Sequence, residues 1–459
     1  MSNRQLLIHP LPYRETPLHY FSALRARAGA TLLDSGRPGA TTGRFDIMSS
    51  DPLATLSVEQ NGQWRASVPL KARTSLEAQR ALLALLDTHL PETTLCDGSD
   101  APPFTGGLIG FWSYDYGREL ERLAAEAISD MTMPLVRLGL YDWALIQDHQ
   151  RERSYLVASA ERRDQVLAWL AGTPPASEPF RITRAFRGDI DRLEYGRRFR
   201  KVHHYLHTGD CYQVNLAQRF QARCEGDSWQ AWCRLREATP APYGAWLGWR
   251  DDNGGERTLL SLSPEAFLHL HGRRLETRPI KGTRPRGGTR EEDRRLAAEL
   301  QESRKDLAEN VMIVDLLRND LGRVCRPGSV RVPALARLES FRNVHHLVST
   351  VTGELSPELD AFDALAAAFP GGSITGAPRI RAMDIIDELE GTRRGPYCGS
   401  IGYIDRRGHM NTSIAIRTLA REDDRLFIWG GGGLVADSQE QSEFDETLAK
   451  IRHLMEALG

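Results

Sequence analysis

Six cysteines in 459 residues (Cys96, Cys211, Cys224, Cys233, Cys325 and Cys398), with no CxxC pair and no His/Cys pattern at zinc-finger spacing, exclude a disulfide framework and a structural zinc site. No run of roughly 18 apolar residues occurs, so no membrane-spanning helix is expected. The N-terminal MSNRQLLIHPLPYRETP lacks the apolar core of a secretory signal. Neither sign of charge is in excess: 59 basic against 61 acidic residues give a net charge of −2, which leaves no footprint for nucleic acid or an anionic membrane. Internal repeats and strict βα alternation are also missing, which argues against a solenoid and a doubly wound parallel sheet. These absences point to a cytoplasmic protein acting on a small molecule.

What is present is ordinary globular composition, 41% hydrophobic and 26% charged, in a chain long enough for a large core. Up to about residue 148 the sequence alternates in short strands around one amphipathic helix, SLEAQRALLALLDTHL, an α+β pattern. Residues 171–190 are rich in Pro and polar residues and read as a connection between an N-terminal region, 1–170, and a second region, 191–459. In the second region DRLEYGRRFRKVHHYLHTGD has helical spacing and stops at Gly209. The stretch TREEDRRLAAELQESRKDLAENVMIVDLLRNDLGR reads as one long helix, and EQSEFDETLAKIRHLMEAL as another. RTLLSLSPEAFLHLHG reads as strand.

Two pairs of carboxylates, Asp306 with Glu309 and Glu443 with Glu446, stand three residues apart, which places each pair on one helix face. Brought together, they would make an oxygen-rich site suited to Mg²⁺. The same spacing also fits solvated helix faces paired to Arg304, Lys305 or Lys450. Gly430 to Gly433, just before the second pair, allow a ligand to approach bare backbone N–H groups, or simply make a tight turn. PGGSITGAP (Pro370–Pro378) is a second such turn. Lys281, between Ile280 and Gly282 with Arg278, Arg284 and Arg286 nearby, is placed to lose its proton and serve as a nucleophile, or to be a surface lysine of a basic loop. Glu265, after SLSP, is a candidate general acid or a satisfied turn carboxylate. The pairs His203–His204 and His345–His346 lack the partners of a metal motif.

In order along the chain, GDCYQVNLAQRF, SLSPEAF, RPIKGTRPRG, DLAENVMIVDLLRNDLGRV, VHHLVSTVTGEL, FPGGSITGAPRIRAMDIIDELE, GPYCGSIGYI, TSIAIRTL and GGGGLVADSQEQSEFDETLAKI resemble the motif series of the chorismate-utilising enzymes. The likeness runs from about Leu193 to Leu454, with looser similarity before it. It implies an α+β, anthranilate-synthase-component-I-like fold, with large antiparallel sheets packed together and helices outside. PIKGT at Pro279–Thr283, where anthranilate synthases typically carry PIAGT, resembles the aminodeoxychorismate synthase component I branch. That branch aminates chorismate at carbon 4 for 4-aminobenzoate and folate synthesis. Gln213 stands where isochorismate and salicylate synthases carry a lysine, which disfavours water addition.

Carried over by this resemblance, Glu265 is the acid, Lys281 the nucleophile, and Glu309 and Glu446 the Mg²⁺ ligands supported by Asp306 and Glu443. Tyr397, Arg417 and the backbone of Gly431, Gly432 and Gly433 match the grip on the pyruvyl carboxylate, and Thr375, His346 and Gln213 match further substrate-pocket positions. The chain has no glutaminase nucleophile motif, so the resemblance implies ammonia from a separate glutamine amidotransferase subunit. LLDSG resembles a segment that holds tryptophan in relatives, so Ser35, Pro242 and Tyr243 are expected to line such a pocket, with Asp34 a departure from the usual residues. Anthranilate synthase component I, and a non-catalytic tryptophan- or chorismate-binding subunit, are the competing readings.

Overall fold

A computed structural model describes residues 6–90, 101–121, 123, 127–341 and 344–459; Cys96 lies outside the described residues. Two large sheets, of twelve and eleven strands, carry the fold. Every pairing between their strands is antiparallel. The architecture is thus α+β as the resemblance implies. Each sheet takes strands from both sides of residues 171–190. In the larger one, Thr31–Asp34 lies beside Tyr243–Arg250; in the smaller one, Gly107–Trp112 lies beside Ser400–Asp405. The connection itself contributes an edge strand, Arg181–Gly188, paired with Gln213–Glu225, because its backbone groups find partners there despite the polar composition.

The inner faces share one apolar core that joins Leu108, Phe111 and Trp112 of the smaller sheet to Leu247 and Leu259 of the larger. At roughly 1.5–3 kcal/mol for each large side chain removed from water, this core outweighs local propensity in fixing the strand order. Helices cover the outside. Helix Arg192–Thr208 starts where Asp191 accepts from the Glu194 N–H at 2.8 Å and buries Tyr195, Phe199, Val202 and Leu206. It stops at Gly209, whose φ of 82° suits glycine.

Four segments differ from their sequence reading, the least being SLEAQRALLALLDTHL, where Leu85 separates Ser75–Ala84 from Leu86–His89. The long helix is broken at Ser303, which leaves the helical range (ψ 104°) and caps the next helix by accepting from the Asp306 N–H; the halves are Arg290–Glu302 and Arg304–Gly322. The last helix is likewise split into Glu440–Ala449 and Arg452–Leu458. RTLLSLSPEAFLHLHG is two strands, Glu256–Ser263 in the larger sheet and Ala266–His271 in the smaller, because Pro264 cannot continue a central ladder. A second crossing runs antiparallel to it: Met410–Ile414 belongs to the smaller sheet and Thr418–Glu422 to the larger. The crossings are tied together by Leu262 N–H to Arg417 C=O (3.0 Å) and Ile414 N–H to Glu265 C=O (3.1 Å).

Candidate active site

A cavity of about 510 Å³ opens at this double crossing, and all its wall residues lie between 264 and 451. Glu265 comes from one crossing and Arg417 from the other. Lys281 stands on the edge strand Ile280–Pro285, Glu309 and Asp306 in the first turns of helix Arg304–Gly322, and Glu443 and Glu446 on helix Glu440–Ala449. His346, Tyr397, Gly431 and Gly433 complete the set brought to this wall. Gln213, Thr375 and Gly432 lie just behind it. Thr375 is buried with its hydroxyl donating to the Gly371 carbonyl at 3.1 Å. Gln213 is buried with its amide against Gly433, and Gly432 faces the Glu443 and Glu446 carboxylates.

The glycine strand is required by close neighbours. A Cβ on Gly431 would meet the Tyr397 hydroxyl at 2.7 Å, and one on Gly433 the Gln213 amide at 2.4 Å. Tyr397 is held flat against Trp429, ring centroids 5.7 Å apart and planes 2° from parallel. Cys398 and Arg417, beside and on this wall, both have positive φ, 62° and 50°. Such backbone costs about 1–3 kcal/mol per residue and persists only where the surroundings impose it.

The reactive groups are electrostatically poised. Burial pushes the Glu265 carboxyl above its ordinary value, against the opposing pull of Lys281 and of a hydrogen bond from Ser373 Oγ at 2.9 Å. Burial pulls the Lys281 amine down, against Glu309 and Glu265. Both shifts favour the uncharged form of their group. Burial also raises Glu309; at Glu446 burial is overcome by Lys450, 2.7 Å away, together with Lys305 and Lys281, which hold the carboxyl below its ordinary value. His346, buried and facing Arg417, is pulled down to about 4 and is neutral at physiological pH; its Nδ1 meets the Thr283 hydroxyl at 2.9 Å. Among the described residues no carboxylate pairs with Arg417. A guanidinium facing a cavity without a protein counter-ion is a ready site for a planar carboxylate.

Among the described residues no three His, Cys, Asp or Glu side chains are drawn together tightly enough to hold a metal ion. Lysines stand between the four carboxylates instead: Lys305 Nζ is 3.6 Å from Glu443 and 4.0 Å from Glu309. Of the other paired histidines, His345 Nε2 lies 2.9 Å from Asp293 and His203 Nε2 3.1 Å from the Ala436 carbonyl. Lys305, expected as a partner of the paired carboxylates, reaches across both acidic helices. Two supporting residues escaped the sequence reading: Ser373 touches both Glu265 and Lys281, and Asn310 donates to the Lys281 carbonyl at 3.1 Å while accepting from Ser349 at 2.6 Å. For Asn310 the only sequence signal was its place next to Glu309.

A second cavity, about 260 Å³, lies between the sheets and is lined by Pro242 and Tyr243 with Asp34, Phe45 and Arg278. Ser35 is not on its wall. Its N–H and hydroxyl both donate to Asp46, at 2.8 and 2.6 Å, because a buried polar residue beside a buried carboxylate is used to satisfy it.

Residues 30–456 match the sequence family described as chorismate binding enzyme. The chain belongs to that family. Family relatives include aminodeoxychorismate synthase component 1 of Salmonella typhimurium, 47% identical over 451 residues that cover 98% of this chain and 97% of the relative. Anthranilate synthase component 1 of Mycolicibacterium smegmatis is 37% identical over 471 residues, 97% of this chain and 88% of the relative. The crystal structure of anthranilate synthase component I from Streptococcus pneumoniae superposes with a TM-score of 0.78 at 30% identity, covering 90% of this chain and 93% of that one. No helix among the described residues of this family member is long and apolar enough to cross a membrane.

Proposed function

We propose that this chain is an aminodeoxychorismate synthase component I, a transferase that replaces the 4-hydroxyl of chorismate with an amino group. The product, 4-amino-4-deoxychorismate, keeps its enolpyruvyl group and feeds 4-aminobenzoate and folate synthesis. The observation that carries this reading is Lys281, at the PIKGT position, sharing one cavity wall with Glu265. The 47% identity to a relative of that name supports it.

In the proposed reaction Glu265, whose hold on a proton burial strengthens, gives that proton to the 4-hydroxyl, which departs as water. The lone pair of neutral Lys281 forms a bond to ring carbon 2, and the ring double bonds shift as the carbon–oxygen bond breaks. The new ammonium returns a proton to Glu265. Ammonia then bonds to carbon 4, the double bonds shift back, and the lysine leaves with the proton from Glu265. Arg417 and Tyr397 with the Gly431–Gly433 backbone hold the pyruvyl carboxylate. Gln213, Thr375 and His346 shape the pocket around the two substrates.

The donor set at the acidic helices is entirely oxygen, which fits Mg²⁺, a cation that takes few carboxylates and completes its octahedron with water and substrate. Glu309 and Glu446 would hold it directly, with Asp306 and Glu443 behind, once Lys305 and Lys450 give way. The ion, when bound, neutralises the ring carboxylate of chorismate. Ammonia comes from a separate glutamine amidotransferase subunit. Residues 191–459 carry the chemistry, and the 1–170 region supplies most of one wall of the inter-sheet cavity, a seat for tryptophan bounded by Pro242 and Tyr243 with Ser35 beneath. Incubation of the purified chain with chorismate, Mg²⁺ and ammonium, followed by mass and ultraviolet analysis, tests the reading: 4-amino-4-deoxychorismate supports it, and anthranilate or unreacted chorismate contradicts it.

A further inference from the structure

Ser373 sits in the short turn Gly372–Ile374 and is buried at 8% exposure on the wall of the catalytic cavity. Its two polar functions go to the two reacting side chains. The hydroxyl donates to Glu265 Oε1 at 2.9 Å, and the main-chain carbonyl accepts from Lys281 Nζ at 3.3 Å. No other hydroxyl is bonded to the Glu265 carboxyl among the described residues. The turn is itself anchored from two sides. Leu316 of the acidic helix fills the space over Gly372, and Thr375 donates back to the Gly371 carbonyl at 3.1 Å. Ser373 is therefore fixed relative to both the acidic helix and the nucleophile strand.

We infer that Ser373 is a positioning residue that sets the acid and the nucleophile in register and decides which atom of each faces the substrate. The inference rests on the roles proposed above for Glu265 and Lys281. The carboxyl takes donors from the Ser373 hydroxyl, on Oε1, and from the Ile280 N–H; the hydroxyl makes Oε1 an acceptor and so favours Oε2 as the oxygen that carries the proton when Glu265 acts as the acid. A carbonyl that accepts one N–H of Lys281 fixes the direction of that bond, so that a lone pair freed by deprotonation cannot point at the turn. One residue thus orients both ends of the first bond exchange without touching the reacting ring atoms. Misplacing such groups by even an ångström is enough to lose about two orders of magnitude in rate.

The test is a double-mutant cycle on the full chain, assayed with chorismate, Mg²⁺ and ammonium. Ser373→Ala is expected to lower kcat roughly 100-fold while KM for chorismate stays within about 2-fold, because the residue acts on the acid and not on ground-state binding. In a Glu265→Gln background the same substitution is expected to cost less than about 5-fold, since the acid it orients is gone. Equal costs in the two backgrounds, or a Ser373→Ala enzyme with unchanged kcat, would overturn the inference and leave Ser373 a structural turn residue. Should Ser373→Ala fold poorly, Ser373→Cys keeps the volume with a much weaker donor and carries the same cycle. Failure of the wild-type chain to form the 4-amino product would instead sink the underlying reading, so the two failures are distinguishable.

Discussion

In the inter-sheet cavity the charges close on one another: Arg236 meets both oxygens of Asp34 at 2.7 and 3.1 Å, Arg44 meets both of Asp148 at 3.0 and 2.8 Å, and Arg278 pairs with Glu339. In the cavity at the double crossing they close only in part, at Lys450 with Glu446 (2.7 Å) and at Arg284 with Glu299 (2.9 Å). Arg417 has no carboxylate among the described residues, Lys281 is 3.3 Å from a carbonyl, and Lys305 stands 3.6 to 4.0 Å from the acids it faces. Both regions lie in the same pair of sheets, so the difference is one of pairing rather than of fold. A closed network is stable as it stands and offers a ligand mainly shape and apolar surface. An open one holds charge in reserve for a carboxylate, a metal ion or a proton transfer.

The sharpest way to break this contrast is to remove an acid from the open network. Glu309→Ala and Glu446→Ala are each expected to abolish product formation while leaving thermal unfolding near wild type, whereas Glu291→Ala on the neighbouring helix is expected to do neither. Wild-type turnover in excess chelator would contradict the assignment. The ammonia source gives the next effect: the purified chain is expected to use ammonium at raised pH but not glutamine, until a glutaminase subunit is added. Glutamine-dependent synthesis by this chain alone would refute it.

The closed network is expected to respond in stability instead. Arg236→Ala strands Asp34, which burial already pushes up to about 6, and is expected to cost about 3–5 kcal/mol in urea unfolding. Its effect on kcat at permissive temperature is expected to be small, and a loss of activity without loss of stability would erase the distinction between the cavities. The smallest effect is a pH dependence. His346 is held neutral, with its protonation pushed from 6.5 to about 4, so the unfolded chain binds the proton first as pH falls. Its contribution is present above pH 6.5 and is lost as pH drops through 4, up to about 3 kcal/mol across that window. His346→Gln is expected to flatten this part of the stability curve, and an unchanged curve would remove His346 from the buried neutral set.

How much of this was legible in the sequence follows from where each residue's partners lie. Glu309, Glu446, Lys281 and Glu265 were named from local spacing and motif order, and all four reach one wall. What the spacing could not reveal is that Pro264 turns one apparent strand into two, one in each sheet, and that the 410–422 segment crosses beside it. That non-local pairing is what makes the cavity. Ser303 looked like a helix-interior residue because the flanking charges favour helix on both sides; its capping bond to Asp306 shows only in three dimensions. Ser35 failed as a wall residue for a similar reason, since the demand of Asp46, eleven positions away, outweighs the pocket. Ser373 and Asn310 act through residues 92 and 29 positions distant, beyond the reach of any local pattern.

Lys281→Ala tests the account most directly, through the product mixture it forms from chorismate, Mg²⁺ and ammonium. If Lys281 bonds to carbon 2, it both activates carbon 4 and covers the approach to carbon 2. The Ala variant is then expected to lose most 4-amino-4-deoxychorismate formation, on the order of several kcal/mol in barrier, and to release some 2-amino-2-deoxyisochorismate or anthranilate. Formation of the 4-amino product at the wild-type rate would contradict the covalent role of Lys281 and the reading built on it.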